Sequence, residues 1–360
     1  MNPIDRQAAF SGTKTVSASL RVDAVRLHDY LVKALPAFTG PLALRQFKGG
    51  QSNPTYLVEM PERSCVLRRK PPGVLLPSAH AVDREFRVIG ALHKQGFPVP
   101  EPILYCGDEA IAGTPFYLMS HADGRVWWNP HMPDAEPAAR TRVYDAMNAT
   151  LARLHSFDPE TLGLSDFGRG ENYVARQVAR WSKQYRASQT EEIDAMERLI
   201  AWLPDHLPPP APIRLVHGDY RLDNIVVAPD GSSILAVLDW ELSTLGDPLA
   251  DFTYHLMTWH MPADPSGASS GTLAGRDLAA LGIPPADDYV AAYASRTGLD
   301  PRPHLDTYLA YNFFRIAAIL QGVAGRVRDG TATSEHAPAK ARLVRPLAET
   351  AWRFATAAGA

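Results

Sequence analysis

The 360-residue chain has only two cysteines, Cys65 and Cys106, set in the apolar stretches SCVLR and ILYCGD. Two thiols are too few for a disulfide framework and show no metal-ligand spacing, so both read as buried thiols. An excess of charge of one sign is also missing: 36 Lys and Arg against 39 Asp and Glu leave a net charge of −3. Without a basic field, the chain is not expected to bind nucleic acid or an anionic membrane surface. No apolar run approaches the ~20 residues that span a bilayer. The opening MNPIDRQAAFSGTKTVSASL has no basic start followed by an apolar core, so it does not read as a secretory leader. No internal repeat or long low-complexity tract is present. These absences lead to the expectation of a cytoplasmic, enzyme-sized protein with neither membrane nor nucleic-acid partner, long enough for two lobes.

Proline, by contrast, is plentiful: 31 residues, mostly between periodic segments as loop punctuation. RVDAVRLHDYLVKAL has helical spacing, with Val25, Leu27 and Leu31 among its apolar positions. PLALRQF, PTYLVEM and SCVLRRK then read as three strands of an antiparallel meander, the last stopped by Pro71 and Pro72. AVDREFRVIGALHKQG is helical, with Val82, Phe86, Ile89 and Leu92 on one stripe and Gly96 as its C-terminal stop. Two more strands are expected near PILYCGD and PFYLMSH. Beyond them the pattern turns helical, in VYDAMNATLARLHSF, VARQVARWSKQYRA, EIDAMERLIAWL and most of the chain after residue 250. LPPPAPIR reads as a linker into the stretch that begins at residue 215. The expected class is α+β, with a small β-rich N-terminal lobe over 20–122 and a larger α-helical lobe over 123–360.

The chemistry concentrates in LVHGDYRLDNIVVAPDGSSILAVLDWE, residues 215–241. A turn at Pro229-Asp230-Gly231 folds NIVVA back on ILAVLDW. Counting outward from the turn, Asn224 and Asp239 fall nearly opposite each other at the open end, with Cβ atoms about 5 Å apart. An amide oxygen and a carboxylate are hard ligands suited to Mg2+ shared with substrate phosphates. Asp219, five residues before Asn224, is placed to accept or orient the proton of a substrate hydroxyl. Arg221 is placed to donate to a phosphoryl group in transfer.

This arrangement resembles the catalytic and metal loops of protein-kinase-like phosphotransferases. In the form HGD…N…LDW it is similar to the aminoglycoside phosphotransferase family. The longer LDWELSTLGDPLADFTYHLMTW resembles the branch related to the kinase domains of acyl-CoA dehydrogenase family members 10 and 11. The resemblance covers about residues 40–330. It implies a two-lobed protein-kinase-like fold, ATP and Mg2+ as cofactors, Asp219 as catalytic aspartate, Asn224 and Asp239 as metal ligands and His217 as a structural histidine. Trp240 stands where protein kinases have a phenylalanine, so a mobile phenylalanine switch is not expected.

The same resemblance asks for nucleotide-binding groups in the N-terminal lobe. Arg68 occupies the position of the strand lysine, with Lys70 as the alternative, and Glu85 is the acidic partner on the next helix. A carboxylate inside that helix's apolar stripe is costly unless paired, and Arg68 is the natural partner. KGGQSNPT stands in the place of the phosphate-covering loop, with Gly49 and Gly50 allowing close backbone approach and Ser52 and Asn53 as donors. Backbone from Met119 to His121 would meet the adenine edge, although Leu118 and Met119 read equally well as core. On the acceptor side, the aromatic helices carrying His255, His260 and Arg315 favour an anionic or partly apolar hydroxyl compound, such as a hydroxyacid or hydroxyacyl-CoA, over a polycation. Asp247 and Asp251 read as braces of the catalytic loop and His155 as a packed or capping residue. The rival readings are a nucleotide- or metabolite-binding pseudokinase, an aminoglycoside kinase, and a metal-dependent hydrolase using His217, Asp219 and Asp239, for which further ligands at metal spacing are lacking.

Overall fold

The computed structural model describes residues 5–36, 38–49, 53–61, 63–73, 80–269, 271–332, 334 and 336–360. By its internal contacts the chain forms two compact units: residues Arg6–Val126 with Asn224–Leu242, and Asp5 with Trp127–Asp223 and Ser243–Ala360. Among the described residues no helix is long and apolar enough to cross a membrane.

The first unit is built on a six-stranded antiparallel sheet. Its strands are β1 (Thr13–Lys14), β2 (Ala43–Phe47), β3 (Thr55–Glu59), β4 (Ser64–Arg69), β5 (Pro102–Cys106) and β6 (Phe116–Ser120), in the order β1-β2-β3-β4-β6-β5. Five of these are the strands that the alternating sequence predicts; β1 is two residues in a polar stretch, too short to show a period. Alternation of side chains across β4 then divides the unit's interior. Cys65 and Leu67 point into a core with Tyr56, Val58, Phe116 and Leu118, closed by Leu27 and Leu31 of the helix Ala24–Ala34. Asp23 caps that helix by accepting from the backbone of Val25 and Arg26.

On the opposite face lies the helix Val82–Lys94, whose buried positions are Val82, Glu85, Val88, Ile89 and Leu92. Phe86, expected within the stripe, sits at its half-buried edge, 6.0 Å ring to ring from both Tyr105 and Tyr117. The helix ends in a Schellman motif: Gly96 is left-handed at φ 65°, its N–H bonds to His93, and the Phe97 N–H bonds to Leu92.

Four further strands are β7 (Arg214–Val216), β8 (Ile225–Val227), β9 (Ile234–Val237) and β10 (Thr244–Gly246). β8 and β9 pair as the expected hairpin and belong to the first unit, where Arg125 also bridges to Val227. β7 and β10 pair antiparallel in the second unit. β7 begins where the sequence reads as a linker, and three residues at either end of a loop give too little pattern to be seen in advance.

The second unit is helical. The helix Leu305–Arg328 is its hub, packed against Tyr173–Ser188, Pro248–Leu256 and Val344–Ala357. Aromatic and aliphatic residues such as Tyr185, Tyr308, Phe313, Phe314 and Leu347 fill that core. Asn148 is buried inside the helix Pro137–Ser156 and donates to the Tyr289 carbonyl.

Candidate active site

In the first unit the key residue is Arg68. Strand alternation sends Arg69 to the helix 24–34 side, where its guanidinium meets the Tyr56 hydroxyl and the carbonyls of Leu20 and Ala112. Arg68 therefore faces the helix Val82–Lys94. Its Nε donates to Glu85 at 2.9 Å, its Nη2 donates to Asp239, and Glu241 lies 3.8 Å away. Both Arg68 and Glu85 are buried, so each removes the solvation of the other and the pair must compensate. One guanidinium serves three carboxylates here. Arg68 stays cationic, since those carboxylates outweigh the burial that opposes its charge. Glu85, the deepest of them, yields: burial pushes its carboxyl up to about 7 against the attraction of Arg68, with Asp239 and Glu241 adding to the rise.

Asp239 sits one residue beyond the point opposite Asn224, for Ile225 pairs with Val237 and the Leu238 N–H bonds to the Asn224 carbonyl. Its backbone is left-handed at φ 65°, a conformation that costs a non-glycine residue free energy and turns the side chain out of the strand's alternation toward Arg68. Both Asn224 and Asp239 are half-buried. Trp240, fully enclosed, donates to the Val237 carbonyl and meets Phe97 edge-on, so it anchors the hairpin's end as a fixed core residue.

The nearby loop is drawn into the same cluster. Asn53 is buried; its amide donates to Glu241 at 3.2 Å and its amide oxygen lies 2.9 Å from His80 Nδ1. Asn53, expected at the phosphates, is held here by Glu241 and His80, two residues whose only sequence cue is WEL continuing the hairpin's polar end. Gly49 is half-buried at the start of this loop, and Gly50 and Ser52 lie outside the described residues. Met119 is buried in β6 between β4 and β5, while His121 is exposed and stacks on Phe47 at 6.3 Å.

The second unit carries Asp219. The backbone leading to it is held by Asp251, whose carboxylate accepts from the N–H groups of His217 (2.7 Å) and Gly218 (2.8 Å). His155 lies 3.1 Å from the same carboxylate and bonds to Tyr293 through its other nitrogen. Burial alone would raise the Asp251 carboxyl, but the hydrogen bond and charge of His155, with further help from His217, hold it below its ordinary 3.8. Gly218 takes φ 82°, a bend that a side chain would strain. His217 is buried, and its Nδ1 accepts from the Asp219 N–H. Asp247 caps the helix Pro248–Leu256 and accepts from the Tyr308 hydroxyl. The bracing of the loop expected of Asp251 is thus present, whereas Asp247 bonds to its own helix and to Tyr308; His155 adds a partner to Asp251 that sequence spacing does not reveal.

Asp219 itself is half-buried and already engaged. The Tyr254 hydroxyl donates to its Oδ1 at 2.6 Å. Arg221 pairs with it, Nε lying 3.0 Å from Oδ1 and Nη2 donating to Oδ2 at 3.3 Å; Asp223 is 3.6 Å from the same Nε. Arg315 is buried, donates to the Gly218 carbonyl and lies 4.9 Å over the Tyr254 ring. His255 is buried among Tyr220, Trp259 and Tyr289. These two basic residues are therefore interior braces, and their presence says less about an anionic acceptor than composition does.

Among the described residues no group of three or more His, Cys, Asp and Glu is arranged to hold a metal ion unaided. Asn224 and Asp239 together offer one amide and one carboxylate oxygen. That donor set is hard and incomplete, which fits a Mg2+ that takes its other ligands from water and substrate phosphates.

Comparison with known proteins gives the family. A sequence model of the phosphotransferase enzyme family (APH) matches residues 43–305. Mouse acyl-CoA dehydrogenase family member 10 is 46% identical over 351 residues, covering 96% of this chain but 32% of the relative, so the chain spans about a third of that protein. A solved structure from Ralstonia eutropha JMP134, provisionally named an aminoglycoside phosphotransferase, is 44% identical with TM-score 0.84, covering 94% of this chain and 99% of that one. Spectinomycin phosphotransferase, solved with ADP and spectinomycin, shares the fold at TM-score 0.61 and 13% identity, covering 93% and 99%. The chain belongs to the phosphotransferase enzyme family (APH) and has a protein-kinase-like α+β fold.

Proposed function

We propose that the protein transfers the γ-phosphoryl group of ATP to a hydroxyl of a small hydroxyacid or hydroxyacyl-CoA, with Mg2+. The observation that carries this is the Arg68 cluster: a buried guanidinium held by Glu85 beside an Asp239 kept in a left-handed backbone. In this reading Arg68, Gly49, Gly50, Ser52 and Asn53 serve the nucleotide phosphates, and backbone from Met119 to His121 serves the base. Glu85 holds Arg68 in place. Asn224 and Asp239 hold the Mg2+, which when bound neutralises charge on the β- and γ-phosphates. Asp219 orients the acceptor hydroxyl and takes its proton. Arg221, paired with Asp219 in the free protein, steadies the transferred group. ADP in the related spectinomycin enzyme supports a nucleotide donor, and the acyl-CoA dehydrogenase relative supports an acyl-type acceptor.

The test is ADP formation with Mg2+ against hydroxyacids, hydroxyacyl-CoAs and aminoglycosides, run beside Asp219→Ala. Acceptor-dependent turnover is expected, and the variant should lose it while binding nucleotide within about threefold of wild type. Parallel loss of turnover and nucleotide affinity would remove Asp219 from its role. Turnover with aminoglycosides alone would replace the acyl acceptor.

A further inference from the structure

The helix Pro248–Leu256 touches the Asp219 segment twice from one face. Asp251 takes the backbone N–H groups just before Asp219, and Tyr254, three residues on, reaches the carboxylate itself. At 2.6 Å the Tyr254–Asp219 bond has the length of a charge-assisted O–H···O⁻ contact. The phenol cannot easily turn away: its residue is buried, and the Arg315 guanidinium covers its ring while bonded to the Gly218 carbonyl. Burial and the neighbouring Asp219 charge also push the phenol's ionisation far up, so it remains a donor at any working pH.

We infer that Tyr254 is a positioning residue for the transfer step, fixing the rotation of the Asp219 carboxylate so that Oδ1 is held and the group meets an acceptor hydroxyl in one orientation. This rests on Asp219 acting as proposed above. Proton transfer depends on the heavy-atom geometry of acceptor and base, and a carboxylate free to rotate spends part of its time misaligned. The phenol bonds to Asp219, which is assigned to the acceptor and not to the nucleotide, so its loss should act on turnover and leave nucleotide binding alone.

Tyr254→Phe keeps the ring under Arg315 and removes only the hydroxyl. Tyr308→Phe is the comparator, because Tyr308 also donates to a carboxylate at the same helix, that of Asp247 at 2.8 Å, without touching Asp219. The expected result is a kcat lowered about tenfold or more in Tyr254→Phe, with KM and nucleotide Kd within about twofold, and a kcat near wild type in Tyr308→Phe at a similar loss of thermal midpoint. Equal kcat values in the two variants would overturn the inference. The contact is read separately in protein labelled with ζ-13C tyrosine, where the resonance absent from Tyr254→Phe should shift in Asp219→Asn. An unmoved resonance overturns the positioning contact even where no acceptor turns over, whereas a shifted resonance with no turnover in wild type counts against the phosphotransfer reading and not against the contact.

Discussion

At the scale of single residues, the site is governed by charge that has been taken out of water. Arg68 and Glu85 are each almost completely buried, and the guanidinium is shared with Asp239. Removing one partner of such a pair leaves an uncompensated group, which costs more than the pair contributes. Arg68→Met should therefore lower stability by about 3–5 kcal/mol in urea unfolding. Arg68→Lys should cost about 1–3 kcal/mol, because an ammonium keeps the charge but cannot fork to both carboxylates. A loss below about 1 kcal/mol in Arg68→Met would mean that Glu85 accommodates itself as the neutral acid and that the ion pair is dispensable.

At the scale of elements, a short helix organises the loop that bears Asp219. Asp251 accepts two consecutive backbone N–H groups that would otherwise be buried without partners, and His155 completes its shell. Asp251→Asn keeps the shape but turns an acceptor-only group into one whose amide must face a donor. It should destabilise the protein by about 2–4 kcal/mol and raise amide exchange in residues 214–222 more than in the sheet β2–β4. Uniform exchange across both would show that Asp251 is not a local brace.

Much of this was legible in the sequence because the cues are local. Alternation located β2 to β6, the Pro-Asp-Gly turn located the β8–β9 hairpin, and Glu85 stood out as a carboxylate in an apolar helical stripe. Tyr254 was hidden for the opposite reason: in ADFTYHLMTW an aromatic among apolar neighbours is indistinguishable from core, and its contact with Asp219 spans 35 residues. Arg69 and Arg315 were hidden likewise, since burial of an arginine depends on distant carbonyls that no spacing announces. The left-handed turn of Asp239 has no sequence cue comparable to a glycine, and the hairpin register that sets Leu238 opposite Asn224 differs by one residue from the count outward from the turn.

At the scale of the whole molecule, the larger unit depends on a buried aromatic network that encloses a histidine. His255 bonds to Tyr289 at 2.9 Å and packs edge-on against Tyr220 and Trp259, while Phe252 stacks on Tyr293 at 3.9 Å. Burial lowers the imidazole to about 4 from its ordinary 6.5, and the attraction of Asp251 only partly offsets it. Above pH ~6.5 the imidazole is neutral in both folded and unfolded chains and makes no difference. Between 6.5 and 4 the unfolded chain takes up a proton that the folded one refuses, so stability falls as the pH falls across that window. The full effect is about 3 kcal/mol, a large share of what holds an ordinary domain together. His255→Phe fits the aromatic surroundings and removes the titration, though it leaves the Tyr289 hydroxyl without this partner and so starts from lower stability at pH 7. Its further loss on going from pH 7 to 4.5 should be smaller than that of wild type by about 2–3 kcal/mol in urea unfolding. Acid losses of equal size in the two proteins would remove His255 as their source; Asp251 does not enter this window, since its lowered carboxyl contributes stability above about pH 4 that is lost only on further acidification.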